Sequence, residues 1–356
     1  MNLNHLASKA KLRLLSAILS LGILTISISS CQKESIAPAG PASQTTPTGT
    51  AAATNTFSFA NNLSGTTYRS SAPISYTGKN NITISGLTIT AGSVPAISLK
   101  NCINVHITKS RFVNGTAVAA VGIWLYNCTN VTIDSCYFSN VSGGIFASNS
   151  TQIYVARNQM LNMNGPQPRG QFVQFSACYG SGNKIMGNRF ENIMGESNPE
   201  DAINIYMSHG VSGSPITVSG NWIRGGGPSS TGGGINLGDG GGSYQTASNN
   251  ILVNPGQYGV AVSAGNNMQI LSNKIYAAKN TFTNVGTFAW NQYSSTTGCS
   301  IVAISGNHVN WTASGGYQNP SWDGGNCGTI VGWANNAFGD PNITASILPA
   351  TIITMK

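Results

Sequence analysis

An eight-residue outline recurs along this chain and restricts what it can fold into. Its clearest copy is Ile216-Thr217-Val218-Ser219-Gly220-Asn221-Trp222-Ile223. Apolar and polar side chains alternate as in a strand buried on one side, the alternation breaks at Gly-Asn, and an apolar residue returns two places after the Asn. Aligned on that Asn, the copies fall at Leu87, Ser110, Cys136, Asn158, Asn188, Asn221, Asn250, Asn273 and Asn307, with a looser one at Asn336. Their spacing of 22 to 34 residues, filled by strand and turn alone, predicts a parallel β-solenoid of about nine to ten coils. The longer intervals then carry loop insertions. Stacked at one corner, each Asn amide can donate to one coil and accept from the other, satisfying turn backbone that would otherwise be buried unpaired. An asparagine ladder is therefore expected, and it is a structural feature.

Composition agrees with an all-β solenoid. Gly is 43 of 356 residues and only 7% of the chain is charged, which excludes a disordered polar chain or a helical bundle. Residues 1–31 read as a secretory signal, because Lys9, Lys11 and Arg13 precede a short apolar run from Leu14 to Ile28. The run is too short and wrongly flanked for a transmembrane helix. Residues 32–56 are mostly Ser, Thr, Ala, Pro and Gly and are expected to form a flexible tether. The solenoid domain is assigned to residues 57–356. Without the three basic residues of the signal, 14 Lys and Arg face 9 Asp and Glu, a mild positive excess that suits an acidic polysaccharide. No basic cluster or nucleic-acid module is present, and Gly238-Asp239-Gly240-Gly241-Gly242 lacks the Lys and following helix of a phosphate loop.

Ile28-Ser29-Ser30-Cys31 resembles a bacterial lipoprotein box, which implies that Cys31 is lipidated and anchors an exported protein to a membrane. Gln32-Lys33-Glu34 resembles the surface-export signal of lipoproteins in the Bacteroidota, which implies the outer membrane or cell surface of a Gram-negative bacterium. An ordinary signal peptide with an incidental Cys31 is the alternative. Among the other cysteines, Cys102 and Cys128 each lie eight residues before their corner, hence above one another in adjacent coils, and Cys299 and Cys327 are nearly in register. Each pair is either a disulfide or two stacked thiols. No CxxC or His/Cys grouping suggests a transition metal, and no cofactor is expected; calcium on generic oxygen ligands such as Asp239 is compatible but unsupported.

A second strand aligns at residues 122–127, 144–149, 172–177, 202–207, 234–239 and 259–264. Ile123/Leu125, Ile145/Ala147, Val173/Phe175, Ile203/Ile205, Ile235/Leu237 and Val260/Val262 should fill the interior. The residues between them then point outward, including Trp124, Tyr126, Gln174, Asn204, Tyr206 and Asn236. Aromatics and amides on a rigid sheet can stack on sugar rings and bond hydroxyls. Strand positions facing solvent also take such residues for their β-propensity alone.

The few acidic residues concentrate near this face. Glu200-Asp201 enters one strand and Asp239 leaves the next. In straight register Asp239 lies beside Met207 and near His209, while Arg169, one coil earlier, lies beside Pro199 and Glu200. His209 with Asp239 as orienter, and Arg169 or Arg224 as carboxylate neutraliser, would supply the parts of polysaccharide β-elimination. Alternatively, Arg169 and Glu200 form a surface ion pair and the Asp residues shape turns. Glycoside hydrolysis needs two carboxyls about 5–9.5 Å apart. Adjacent Glu200 and Asp201 should point apart, and straight strands put Asp201 and Asp239 roughly 20 Å from each other, so neither pair is expected to serve.

The stacked outline, as in Ile270–Ile275 and Val302–Val309, resembles the right-handed parallel β-helix of the pectin-lyase-like superfamily over residues 80–340. That resemblance implies the handedness and a protein related to polysaccharide lyases, polygalacturonases, uronate epimerases or tailspikes. The catalytic motifs do not carry over. Of the polygalacturonase set only Ser208-His209-Gly210 offers a partial match, and the epimerase Asp-Pro-His-Asp is absent. Two functions follow as expectations. One is a surface enzyme cleaving a uronate polysaccharide, as a lyase ahead of a hydrolase. The other is a non-catalytic glycan binder or adhesin.

Overall fold

The computed structural model describes residues 67–114 and 120–355. The proposed signal, tether and lipidation site at Cys31 lie outside the described residues. Each coil is built from three short strands, as in Val173–Ser176, Lys184–Met186 and Arg189–Glu191, followed one coil later by Ile203–His209, Ile216–Ser219 and Trp222–Arg224. Every strand-to-strand ladder between coils is parallel. The third strands form an eleven-stranded sheet. Ten of its members begin at or just after the ten aligned corners, and Arg69–Ser71 adds one before them. The first and second strands form two columns that merge into one eighteen-stranded sheet, because the long strand Ile235–Ser248 pairs with both.

The corner has a local cause. The residue before each corner position from Leu87 to Asn307 takes the left-handed conformation, from Gly86 and Lys109 through Gly220 (φ +65°) to Gly306, whereas Asn336 follows a short 3-10 helix. This single left-handed residue turns the chain, and it is where the alternation breaks in the sequence. The following Asn amides then stack as expected. From Asn158 through Asn188, Asn221, Asn250, Asn273 and Asn307 to Asn336, each Nδ2 donates to the next Oδ1 at 2.8–3.1 Å. Each Oδ1 also accepts the backbone N–H of the preceding Asn. Where the corner holds Ser110, its hydroxyl takes over by accepting from Leu87 N–H at 3.3 Å.

The interior is the stack predicted from alternation: Ile123, Leu125, Val173, Phe175, Ile203, Ile205, Ile235 and Leu237 are all buried. Phe172 and Phe190 stack within it, ring centroids 4.7 Å apart. Cys102 and Cys128 are buried free thiols, whereas Cys299 and Cys327 form a disulfide. Solenoid coils touch only their neighbours, but one segment here crosses several. Residues 348–355 run back over the outside of the eleven-stranded sheet. Arg224 donates to Ala350 and Pro349 carbonyls, Arg189 to Ile352, and Thr354 and Met355 N–H both donate to Gln159. Leu348, Ile352 and Ile353 pack there on Tyr137, Val253, Trp222 and Ile251. Ile352→Ala is therefore expected to lower stability by about 2 kcal/mol, the low end for a buried aliphatic truncation, because the strap can settle. Urea unfolding checks it.

Candidate functional site

The outward face of the first-strand column gathers Glu200, Asp201 and Asp239 beside Tyr258 and Tyr293. Trp124 (42% exposed) and Tyr126 lie open at one end, as expected. Asn204 and Asn236 are buried despite pointing outward, because two loops and two tyrosines close over them. Ser229 and Thr231 of one loop both donate to the Glu200 carboxylate. From the other loop, Tyr293 donates its hydroxyl to Asp239.

Asp201 is 5% exposed and accepts from four donors. These are Tyr258 Oη, Gly233 N–H at 3.0 Å, Asn204 Nδ2 at 2.7 Å and Asn236 Nδ2 at 3.5 Å. The same Asn204 Nδ2 donates to Asp239 Oδ2 at 2.8 Å. The Oδ2 atoms of Asp201 and Asp239 are thus no further apart than two hydrogen bonds laid end to end. The expected gap of roughly 20 Å, which assumed straight strands and upright side chains, is closed in two ways. Both carboxylates lean along the face to one amide. The register also slips: Asn204 pairs with Asn236, but Tyr206 pairs with Asp239 and His209 with Ser243. A bulge at left-handed Gly238 takes up the first extra residue.

The slip also removes the predicted base pair. Asp239 lies opposite Tyr206 rather than Met207, and His209 bonds Ser243 Oγ at 3.2 Å with no hydrogen bond to Asp239. Arg224 is on a different sheet, paired with Glu191 at 3.2 Å and tied to the C-terminal strap, so it neutralises nothing here. The anticipated Arg169–Glu200 ion pair is also absent: the Arg169 guanidinium lies 4.2 Å above the Phe146 ring and donates to Gln174.

Burial pushes the Asp201 carboxyl up to about 7, opposed by the hydrogen bonds of Tyr258 and Asn204 and reinforced by the charges of Asp239 and Glu200. Tyr258 is raised as well, by burial and then by the Asp201 charge, so it remains a donor. Asn204 Oδ1 is buried without a partner.

The tyrosines were not among the predicted site residues, yet one was within reach of the alignment. Ile203, Ile235 and Val260 stand in register, so the residues two places earlier are Asp201, Gly233 and Tyr258. A Cβ on Gly233 would come within 2.6 Å of the Tyr258 ring; glycine in the middle coil lets tyrosine span it and reach Asp201. Tyr293 comes from an irregular loop, and nothing in the repeat marks it.

A parallel, three-strand coil stacked on an asparagine ladder defines a β-helix protein. The family model described as the right handed beta helix region matches residues 72–251, half of the chain, and the chain belongs to that family. Similar solved structures include a surface adhesin of Streptococcus pneumoniae, PfbA, at 16% identity, over 70% of this chain and 60% of that one, with a TM-score of 0.43. The tailspike of E. coli bacteriophage HK620 in complex with a pentasaccharide is 15% identical over 66% of this chain and 48% of the tailspike, with a TM-score of 0.31. The catalytic domain of a GH87 α-1,3-glucanase in complex with tetrasaccharides is 10% identical over 76% of this chain and 63% of that one, with a TM-score of 0.34. These likenesses are of fold. This chain therefore spans about half to three fifths of those structures. No curated protein matches the chain.

Proposed function

We propose that this protein hydrolyses a glycan at the Asp201–Asp239 pair and is held at a bacterial surface through a lipid on Cys31. The observation that carries the hydrolytic reading is the shared Asn204 amide, which brings two carboxylates from adjacent coils together at 2.7 and 2.8 Å from one nitrogen. The pair is therefore no wider than the short end of the about 5–9.5 Å used by glycosidases, the end at which retention of configuration is expected. Their environments differ as the chemistry requires: Asp201 is enclosed and holds its proton to about 7, while Asp239 is less buried. Asp201 gives its proton to the leaving oxygen as that bond breaks. Asp239 attacks the anomeric carbon to form a glycosyl ester. Asp201, now ionised, takes a proton from water as the water displaces Asp239, which restores both groups.

A second reading, glycan binding without cleavage, is favoured by the four donors and 5% exposure of Asp201, which also describe a structural tie. The experiment separates the two. The full-length protein is incubated with pectate, alginate, chondroitin and neutral glycans, and both reducing ends and unsaturated uronate are followed. Hydrolysis predicts reducing ends without unsaturation, lost by at least roughly 100-fold in Asp239→Asn. Glycan retention without new ends supports binding alone.

A further inference from the structure

The hydrolytic site lies midway along an aromatic face, and one cation on that face lacks a counter-charge. We propose that Arg169 and Phe146 form a subsite for an anionic sugar, displaced along the helix axis from the Asp201–Asp239 pair. The inference rests on the glycan reading above and names its substrate class.

The geometry begins with register. Trp124, Phe146, Gln174, Asn204 and Asn236 are successive neighbours across five coils. Phe146 is two coils from Asn204, roughly 10 Å at the usual strand spacing. A chain of sugars laid along the coils thus reaches Phe146 beyond the ring whose bond is cleaved. Arg169 arrives from the loop before Val173–Ser176 and is braced there, its N–H donating to Pro166 O at 2.9 Å. The guanidinium covers the Phe146 ring at 4.2 Å, and Trp124 meets the same ring edge-on with centroids 6.3 Å apart.

Among the described residues the fork donates only through Nη1, to Gln174 Oε1 at 3.4 Å and Pro168 O at 3.5 Å. Both are long for charge-assisted bonds. Among the described residues no carboxylate pairs with it: the ion pairs involve Asp134, Glu191 and Asp340. Burial depresses the Arg169 pKa, as expected for a half-covered cation with nothing opposite. Such a charge is stabilised when an oxyanion arrives to accept two parallel N–H bonds, and a neutral hydroxyl repays less of its desolvation. A uronate carboxylate and a sulfate ester share the required chemistry.

Isothermal titration of the full-length protein at low and moderate salt decides it, with three oligosaccharide probes: an oligogalacturonate, its carboxyl-reduced neutral counterpart and a sulfated galactan oligomer. The anionic probes should bind more tightly than the neutral one, and either anion alone doing so names the group. Arg169→Gln should weaken that binding roughly 10- to 100-fold, the range for a hydrogen-bonded charge. Arg169→Lys, which keeps the charge and the fold but not the fork, should recover part of the loss. Equal binding of neutral and anionic probes, or unchanged affinity in Arg169→Gln with an unchanged melting temperature, overturns the subsite. So does failure of both anions to bind. Discrimination by charge without any new reducing ends would retain the subsite and overturn the hydrolytic reading instead.

Discussion

Asp201→Asn should lower glycan turnover by roughly 10²–10⁴-fold, the contribution of a positioned general acid, while leaving affinity for the glycan within a few-fold of wild type. The pH profile carries the sharper test. Burial holds the Asp201 proton up to about 7, so the acid is in its working form below that pH. The rate should fall about tenfold per pH step above it, and the limb should vanish from the residual rate of the variant. The same group sets a stability dependence of opposite appearance to an ordinary ion-paired carboxylate. Its folded value lies above the unfolded 3.8, so the native state binds the extra proton between the two. The contribution is fully present below about 4 and is lost as the pH rises through about 7. Asp201→Asn should flatten that slope in thermal melts. A variant that keeps full turnover, or a rate that rises through pH 7 to 9 in wild type, would sink the acid assignment.

Asn221→Ala should cost about 4 kcal/mol of stability, as should the same change at the other buried rungs of the ladder, which make equivalent bonds. Asn221 Oδ1 accepts from both Asn188 N–H and Asn188 Nδ2, at 3.0 and 2.9 Å, and Asn221 Nδ2 donates to Ile185 O at 3.0 Å. All of these groups are buried, and each buried group left unpaired costs about 1–3 kcal/mol. Asn104 provides the control. It bonds Asn81 and Asn130 in the same stacked manner, but at the surface, where water replaces what alanine removes. Asn104→Ala should therefore cost about 1 kcal/mol, mostly from its left-handed backbone. Urea unfolding of the two variants beside wild type checks the contrast; equal losses would mean that the inner ladder adds nothing beyond turn conformation.

Asn221 and Asp201 also mark how far local pattern carries. The coil, its corner and its interior were legible because each arises from a short stretch: alternation sets which side chains face inward, and one left-handed residue before the Asn sets the turn. Even the looser corner at Asn336 joins the ladder, accepting from Asn307 at 2.8 Å. Stacking then repeats a local fact. The orientation of Trp124 and Tyr126 follows for the same reason.

The grouping of chemistry did not follow. A repeat alignment assumes that every coil advances in step, and the slip between Asn204 and His209 breaks that step where the acidic residues are. Asp239 therefore meets Asn204 and Tyr293, and His209 meets Ser243. Arg169 illustrates the other limit, since a long side chain chooses between Glu200 and the Phe146 face by surroundings that spacing does not encode. By itself the amino-acid order determined a parallel solenoid with an asparagine corner, because those depend on neighbours in the chain and on one repeated contact. Only the tertiary structure decided which carboxylates share an amide, because bulges, loops and leaning side chains act across coils and leave no period to read.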